Sequence, residues 1–119
     1  MIFTLFADLK RLIKLPAGQL SGGQQQMLAI ARALVPDNRL LLINEPSEGL
    51  APILIEQLME SIRSLSAHTT VLLVEQNFRM ASALADRYYI IDDGRSVKNG
   101  AMKDLANDRA TVQRYLGAA

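Results

Sequence analysis

The sequence predicts an α/β layered fold, a mostly parallel sheet with flanking helices, and three observations point to it. Leu40-Leu41-Leu42-Ile43 and Val71-Leu72-Leu73-Val74 are short, continuous apolar runs, the pattern of strands buried on both faces of a parallel sheet. Between them Leu54, Leu58, Ile62 and Leu65 recur at helical spacing, so the order is strand, helix, strand. Each run also ends in polar residues, Asn44 and Glu45 after the first and Glu75, Gln76 and Asn77 after the second. The carboxyl ends of parallel strands are where such sheets bind ligands.

The elements follow in order. Leu5, Leu9, Leu12 and Ile13, separated by Asp8, Lys10, Arg11 and Lys14, predict an amphipathic helix from Thr4 to Leu15, ended by Pro16-Ala17-Gly18. Ser21, with Gln24 three places on, forms a capping box that starts a helix at Gly22; its apolar residues are Met27, Leu28, Ile30, Ala31 and Leu34. Pro36-Asp37-Asn38 is a turn before the first strand, and the loop from Pro46 to Pro52 leads to the central helix. After the second strand, Asn77 caps a helix to about Ala85. Tyr88 to Ile91 is a third strand, Asp92-Asp93-Gly94 a hairpin turn and Ser96 to Lys98 a short return strand. Leu105, Val112, Tyr115 and Leu116 mark helical residues that close the chain before Gly117.

Composition narrows the function classes. The 119 residues are half hydrophobic, with 13 Lys and Arg against 12 Asp and Glu, which is one modest domain or a piece of a larger one. A formal charge of +1 gives no concentrated basic excess for phosphate-backbone recognition, so no nucleic-acid partner is expected. The chain has no cysteine, which excludes disulfides, thiolate metal sites and cysteine nucleophiles and fits a reducing compartment. No apolar run approaches the ~20 residues of a membrane-spanning helix. Lys10, Arg11 and Lys14 follow the apolar start rather than precede it, the reverse of a secretory signal.

Two segments carry chemistry. Ser21-Gly22-Gly23-Gln24 puts two glycines at a helix start, where unpaired N–H groups and the helix dipole favour an anion and absent side chains let it approach. A capped helix after a tight turn is the plainer explanation of the same residues. The longer string Leu20 to Gln26, followed one helix later by a buried strand ending in Glu45-Pro46, is far more specific than either part.

On those residues the chain resembles the C-terminal half of an ATP-binding cassette (ABC) ATPase. Leu20, Ser21, Gly22, Gly23 and Gln24 match the family's signature motif, Leu41 to Glu45 its Walker B strand, Ser47 to Ala51 its D-loop and Glu75-Gln76-Asn77 its switch position. Glu45 to Pro52, Val74 to Asn77 and Tyr115-Leu116-Gly117 are similar to the branched-chain amino acid importers within the family. The resemblance implies a partial P-loop NTPase-like layered fold without its phosphate-loop strand. Residues 1–35 would be the end of the helical subdomain with the signature helix, 36–100 Walker B to the switch region and the following strands, and 101–119 the C-terminal helices.

The implied chemistry is ATP hydrolysis between two facing cassettes, with Mg²⁺. Ser21 to Gln24 would contact ATP bound by the partner subunit, Glu45 would be the catalytic carboxylate, Gln76 the switch residue and Asn44 the Mg²⁺ position. The implied partners are a second ABC ATPase subunit, as homo- or heterodimer, and transmembrane permease subunits, which hold the cassette on the cytoplasmic face of the membrane.

Three departures bear on activity. Asn44 stands where the family has Asp, keeping the shape and losing the charge. Gln76 stands where most of the family has His, although glutamine is usual in the importer subgroup. The single histidine, His68, precedes its strand and has no companion at ligand spacing, so no role is expected for it. No G-x-x-x-x-G-K-[ST] occurs: Gly18 and Gly23 have its spacing, but Gln24 replaces the lysine. The phosphate loop and first strands would therefore lie upstream of Met1, and the expected reading is a truncated cassette, inactive alone. The competing reading is a non-catalytic cassette remnant that only binds a protein partner.

Overall fold

A computed structural model describes residues 10–117, which fall into two compact units divided between Val74 and Glu75. Of the helix expected from Thr4 to Leu15, residues 4–9 lie outside the described residues; Lys10 and Arg11 are helical and 12–14 form a turn.

The first unit opens with a 3₁₀ turn, Ala17–Gln19, followed by α1, Gly22–Leu34. The expected capping box is present and sets the helix start at Gly22: the Ser21 hydroxyl accepts from the Gln24 N–H, and the Gln24 side chain accepts from the Ser21 N–H. Met27, Ile30, Ala31 and Leu34 are buried along one stripe of α1, whereas Leu28 is exposed. Strand β1, Leu40–Asn44, is followed by α2, Pro52–Ser66, which has its proline in the first turn and buries Leu58, Met59, Ile62 and Leu65. Strand β2, Thr70–Val74, runs parallel to β1, pairing Leu40 with Thr70 through Asn44 with Val74. Strand, helix and parallel strand thus form the α/β unit the sequence predicts.

The expectation that both strands are buried on both faces is corrected. Leu41 and Ile43 of β1 are buried, but Leu40 is 55% exposed, Leu42 66%, Leu72 52% and Val74 51%. In this register Leu40, Leu42, Leu72 and Val74 share one face, and α1 and α2 contribute their buried stripes to a core that takes in only the other.

The second unit begins with α3, Phe78–Leu84, capped by the Asn77 side chain, which accepts from the Met80 N–H at 3.1 Å. Strands β3, Arg87–Asp92, and β4, Arg95–Ala101, form an antiparallel hairpin with an irregularity between Ile90 and Ile91. The expected turn is there: Asp93 (φ 48°) and Gly94 (φ 73°) are both left-handed, as a two-residue type I′ connection requires. Two helices close the chain, α4, Met102–Ala106, and α5, Arg109–Leu116, with Gly117 left-handed (φ 71°) at the end of α5. Tyr88, Ile90, Met102, Leu105 and Val112 make the core of this unit.

Candidate functional site

In the first unit, the start of α1 and the end of β1 meet through one hydrogen bond. Gln26, in the second turn of α1, donates its side-chain amide to the Pro46 carbonyl at 2.9 Å. Pro46 is fully buried, and Gln26, Asn44 and Pro46 line one shallow cleft of about 140 Å³ with Ile30, Leu41 and Ile43. Ser21 to Gln24, Asn44 and Glu45 therefore belong to the same unit. Gln76 lies in the second.

Glu45 leaves the strand in an unusual conformation. Its φ is +46°, in the left-handed region, and its N–H donates to the Val74 carbonyl at 2.6 Å, extending the β1–β2 ladder by one bond. For a residue with a side chain this backbone costs about 1–2 kcal/mol. The following proline already disfavours the right-handed helical alternative, so the chain must turn here by another route. The turn continues with Glu48 N–H donating to the Glu45 carbonyl at 3.3 Å, Leu50 N–H to the Ser47 carbonyl at 3.1 Å, and Gly49 at φ 75°. Glu45 is half-buried and Asn44 exposed.

At the start of α1 the two glycines differ. Gly22 is exposed, and a Cβ there would lie 3.8 Å from Leu50, an ordinary contact. Gly23 is buried, and a Cβ there would lie 2.8 Å from Leu54 Cδ1, so the missing side chain lets α1 pack on α2. The Ser21 hydroxyl uses an oxygen lone pair for its cap, which leaves its proton available to an anion. Leu20 is half-buried, and its carbonyl accepts from the Gln25 side chain at 3.1 Å.

In the second unit the Glu75 carboxylate accepts from the Asn77 N–H at 3.1 Å, which fixes the turn carrying the exposed Gln76. His68 is exposed and lies just before β2, as expected. Among the described residues no group of three or more His, Asp or Glu is placed to hold a metal ion. One amide from Asn44 beside one carboxylate from Glu45 does not fit a self-standing Mg²⁺ site, which needs several oxygen ligands.

Sequence reasoning missed Gln26, the third glutamine of a run, because its partner lies twenty residues away. It also missed an ion pair of the second unit. Asp108 caps α5 and accepts from the Thr111 hydroxyl at 2.6 Å, the Thr111 N–H at 3.1 Å and the Lys98 ammonium at 2.9 Å. Those donors, Thr111 first, hold the Asp108 carboxyl down at about 2, and the Asp108 hydrogen bond pushes Lys98 up.

The pattern of the family described as ABC transporter matches residues 3–48. The high-affinity branched-chain amino acid transport ATP-binding protein BraG of Pseudomonas aeruginosa is 46% identical over 117 residues, 98% of this chain and 50% of that protein. The corresponding ATP-binding protein LivG of Escherichia coli K12 is 34% identical over 105 residues, 87% of this chain and 41% of its own length. A solved ATP-binding cassette of an ABC transporter superposes with a TM-score of 0.81 at 26% identity, covering 99% of this chain and 49% of that one. The chain spans about half the length of the relatives it matches.

Proposed function

Because the chain belongs to the ABC transporter ATP-binding family, we propose that it supplies the signature and Walker B parts of an importer's ATP-binding subunit, coupling ATP hydrolysis to uptake of branched-chain amino acids or a similar small solute. The observation that carries this reading is the joining, within one unit, of a glycine-opened, capped helix to a carboxylate at the end of a parallel strand.

Each residue has a role. The Ser21 proton and the N–H groups of the first turn of α1 bind the terminal phosphate of ATP held by a second cassette, with Leu20 and Gln24 keeping that turn in place. Glu45 accepts a proton from water as its oxygen attacks the terminal phosphorus; the bond from phosphorus to the bridging oxygen breaks, leaving ADP and phosphate. Gln76, as the switch residue, donates a hydrogen bond to a terminal phosphate. No step is assigned to Mg²⁺, which the donor set does not hold by itself. The partners are a second ATP-binding subunit and membrane-embedded permease subunits that keep the protein at the inner face of the membrane. Among the described residues no helix is long and apolar enough to cross it.

A second reading, a cassette remnant that only binds a protein partner, is favoured by Asn44, whose amide lacks the charge of an aspartate. One comparison separates the two. In a complete cassette carrying this sequence, the catalytic reading expects Glu45→Gln to abolish hydrolysis and keep ATP binding. Equal turnover in the two proteins refutes it. For the chain alone, titration with a fluorescent ATP analogue is expected to show no Mg²⁺-dependent binding below roughly 1 mM, since the backbone cradle and lysine of a phosphate loop are not in its sequence.

A further inference from the structure

We infer that Gln26 is a positioning residue: by holding the Pro46 carbonyl it keeps Glu45 in its left-handed backbone and so aims the carboxylate. The inference rests on the reading of Glu45 as the proton acceptor. Three facts converge on it. Glu45 is strained at φ +46°, and such a conformation persists only where its surroundings over-determine it. On its amino side the strand ladder fixes it, through the 2.6 Å bond from its N–H to the Val74 carbonyl. On its carboxyl side the Pro46–Ser47 peptide, one residue further on, is fixed by Gln26, through the 2.9 Å bond to the carbonyl of the fully buried Pro46.

The Gln26 bond is the one of the two that comes from a side chain, so it is the one a substitution can remove. Pro46 has no N–H, and its carbonyl is the polar group this residue offers. Without the donor the Pro46–Ser47 peptide that carries this carbonyl loses its anchor, and the turn that leads back through Pro46 to Glu45 is free to rearrange. Gln26 also sits on the helix whose first turn is proposed to meet phosphate. Movement of α1 relative to β1 is thereby passed to the catalytic carboxylate.

The test uses two variants of similar size. Gln26→Glu keeps the bulk and removes the donor, and Gln26→Lys keeps a donor of similar reach. In the chain itself, amide hydrogen exchange is followed at Glu48 and Leu50, whose N–H groups close the turn after Glu45, with Thr70, bonded to the Arg39 carbonyl at the far end of the sheet, as the reference. Gln26→Glu is expected to speed exchange at Glu48 and Leu50 by about tenfold and leave Thr70 unchanged, while Gln26→Lys stays near the wild type. Unchanged exchange at Glu48 and Leu50 in Gln26→Glu overturns the inference. In a complete cassette, Gln26→Glu is expected to lower kcat about tenfold with KM for ATP unchanged, and Gln26→Lys to recover most of it. A loosened turn with intact kcat overturns the positioning role. Should Glu45→Gln keep full turnover, the proposed function fails instead, a result that the exchange data do not share.

Discussion

Replacing Gly23 with alanine separates helix packing from anion approach. Its Cβ would lie 2.8 Å from Leu54 Cδ1, 3.1 Å from Cδ2 and 3.2 Å from Cγ, so the whole end of the leucine side chain must move. Overpacking of this kind costs about 1–3 kcal/mol. Alanine regains up to about 1 kcal/mol over glycine in a helix interior, and less so near the first turn, where Gly23 sits. The net expectation is a loss of about 1–2 kcal/mol. Leu54→Ala alone removes a half-buried side chain and costs about 1 kcal/mol. In the double variant the new methyl has room, and the coupling should return about 1–2 kcal/mol. Urea unfolding of the four proteins measures it: with a slope of about 1–3 kcal/mol/M, Gly23→Ala lowers the midpoint by about 0.3–2 M at constant slope, and adding Leu54→Ala costs little further. A stabilised Gly23→Ala, or strictly additive losses, would refute the packing argument.

The other predictions are briefer. Asp108 is held at about 2 in the folded chain against an ordinary value of 3.8, so its contribution is fully present above about pH 4 and is lost as pH falls toward 2. Melting followed between pH 5 and pH 2 should show that decline, and Asp108→Asn should flatten it. In a complete cassette, Asn44→Asp restores a full charge and is expected to lower the Mg²⁺ requirement and raise turnover by roughly ten- to a hundredfold, the size of a charge-assisted contact; an unchanged Mg²⁺ dependence would show that the metal rests on other groups. Gln76→His keeps a donor and should change turnover little, measured under the same conditions. Leu58→Ala, at a fully buried position of α2, should destabilise the chain by about 2–5 kcal/mol in the same urea assay.

What the sequence made legible was local. Ser21 and Gln24 find each other within one turn, so the capping box and the start of α1 could be read directly. Asp93-Gly94 specifies its own turn, and Asn77 its own cap. The strands were legible as apolar runs, but a run such as Leu40 to Ile43 carries no alternation, so nothing in it says that Leu41 and Ile43 are covered while Leu40 and Leu42 are exposed. The sequence predicts a return strand from Ser96 to Lys98, and β4 extends over Arg95–Ala101, because pairing with β3 recruits Asn99 and Gly100, which have little strand preference of their own. At the site, glycine was ambiguous. Gly23 reads in the sequence as an opening for phosphate or as part of a capped helix after a tight turn, and only the position of Leu54 reveals that it is also a close approach between helices. The link from Gln26 to Pro46 and the left-handed turn at Glu45 depend on how α1 and β1 pack, which no local pattern encodes.

The exposed side of the β1–β2 pair bears on how the protein behaves in solution. Its register aligns Leu40 with Thr70, Leu42 with Leu72 and Asn44 with Val74, a patch with no ionisable group on it. Colloidal stability at this patch is therefore governed by solvent cohesion and hardly at all by charge. Dilute sodium chloride, which acts by screening, will leave its stickiness unaltered, whereas sulfate and phosphate, which strengthen apolar burial, will drive precipitation. A chain with a formal charge of only +1 has little long-range repulsion to oppose that. Buffer choice during purification is thus decided by four side chains on two strands, one of which, Val74, sits beside Asn44 and Glu45 at the strands' carboxyl ends.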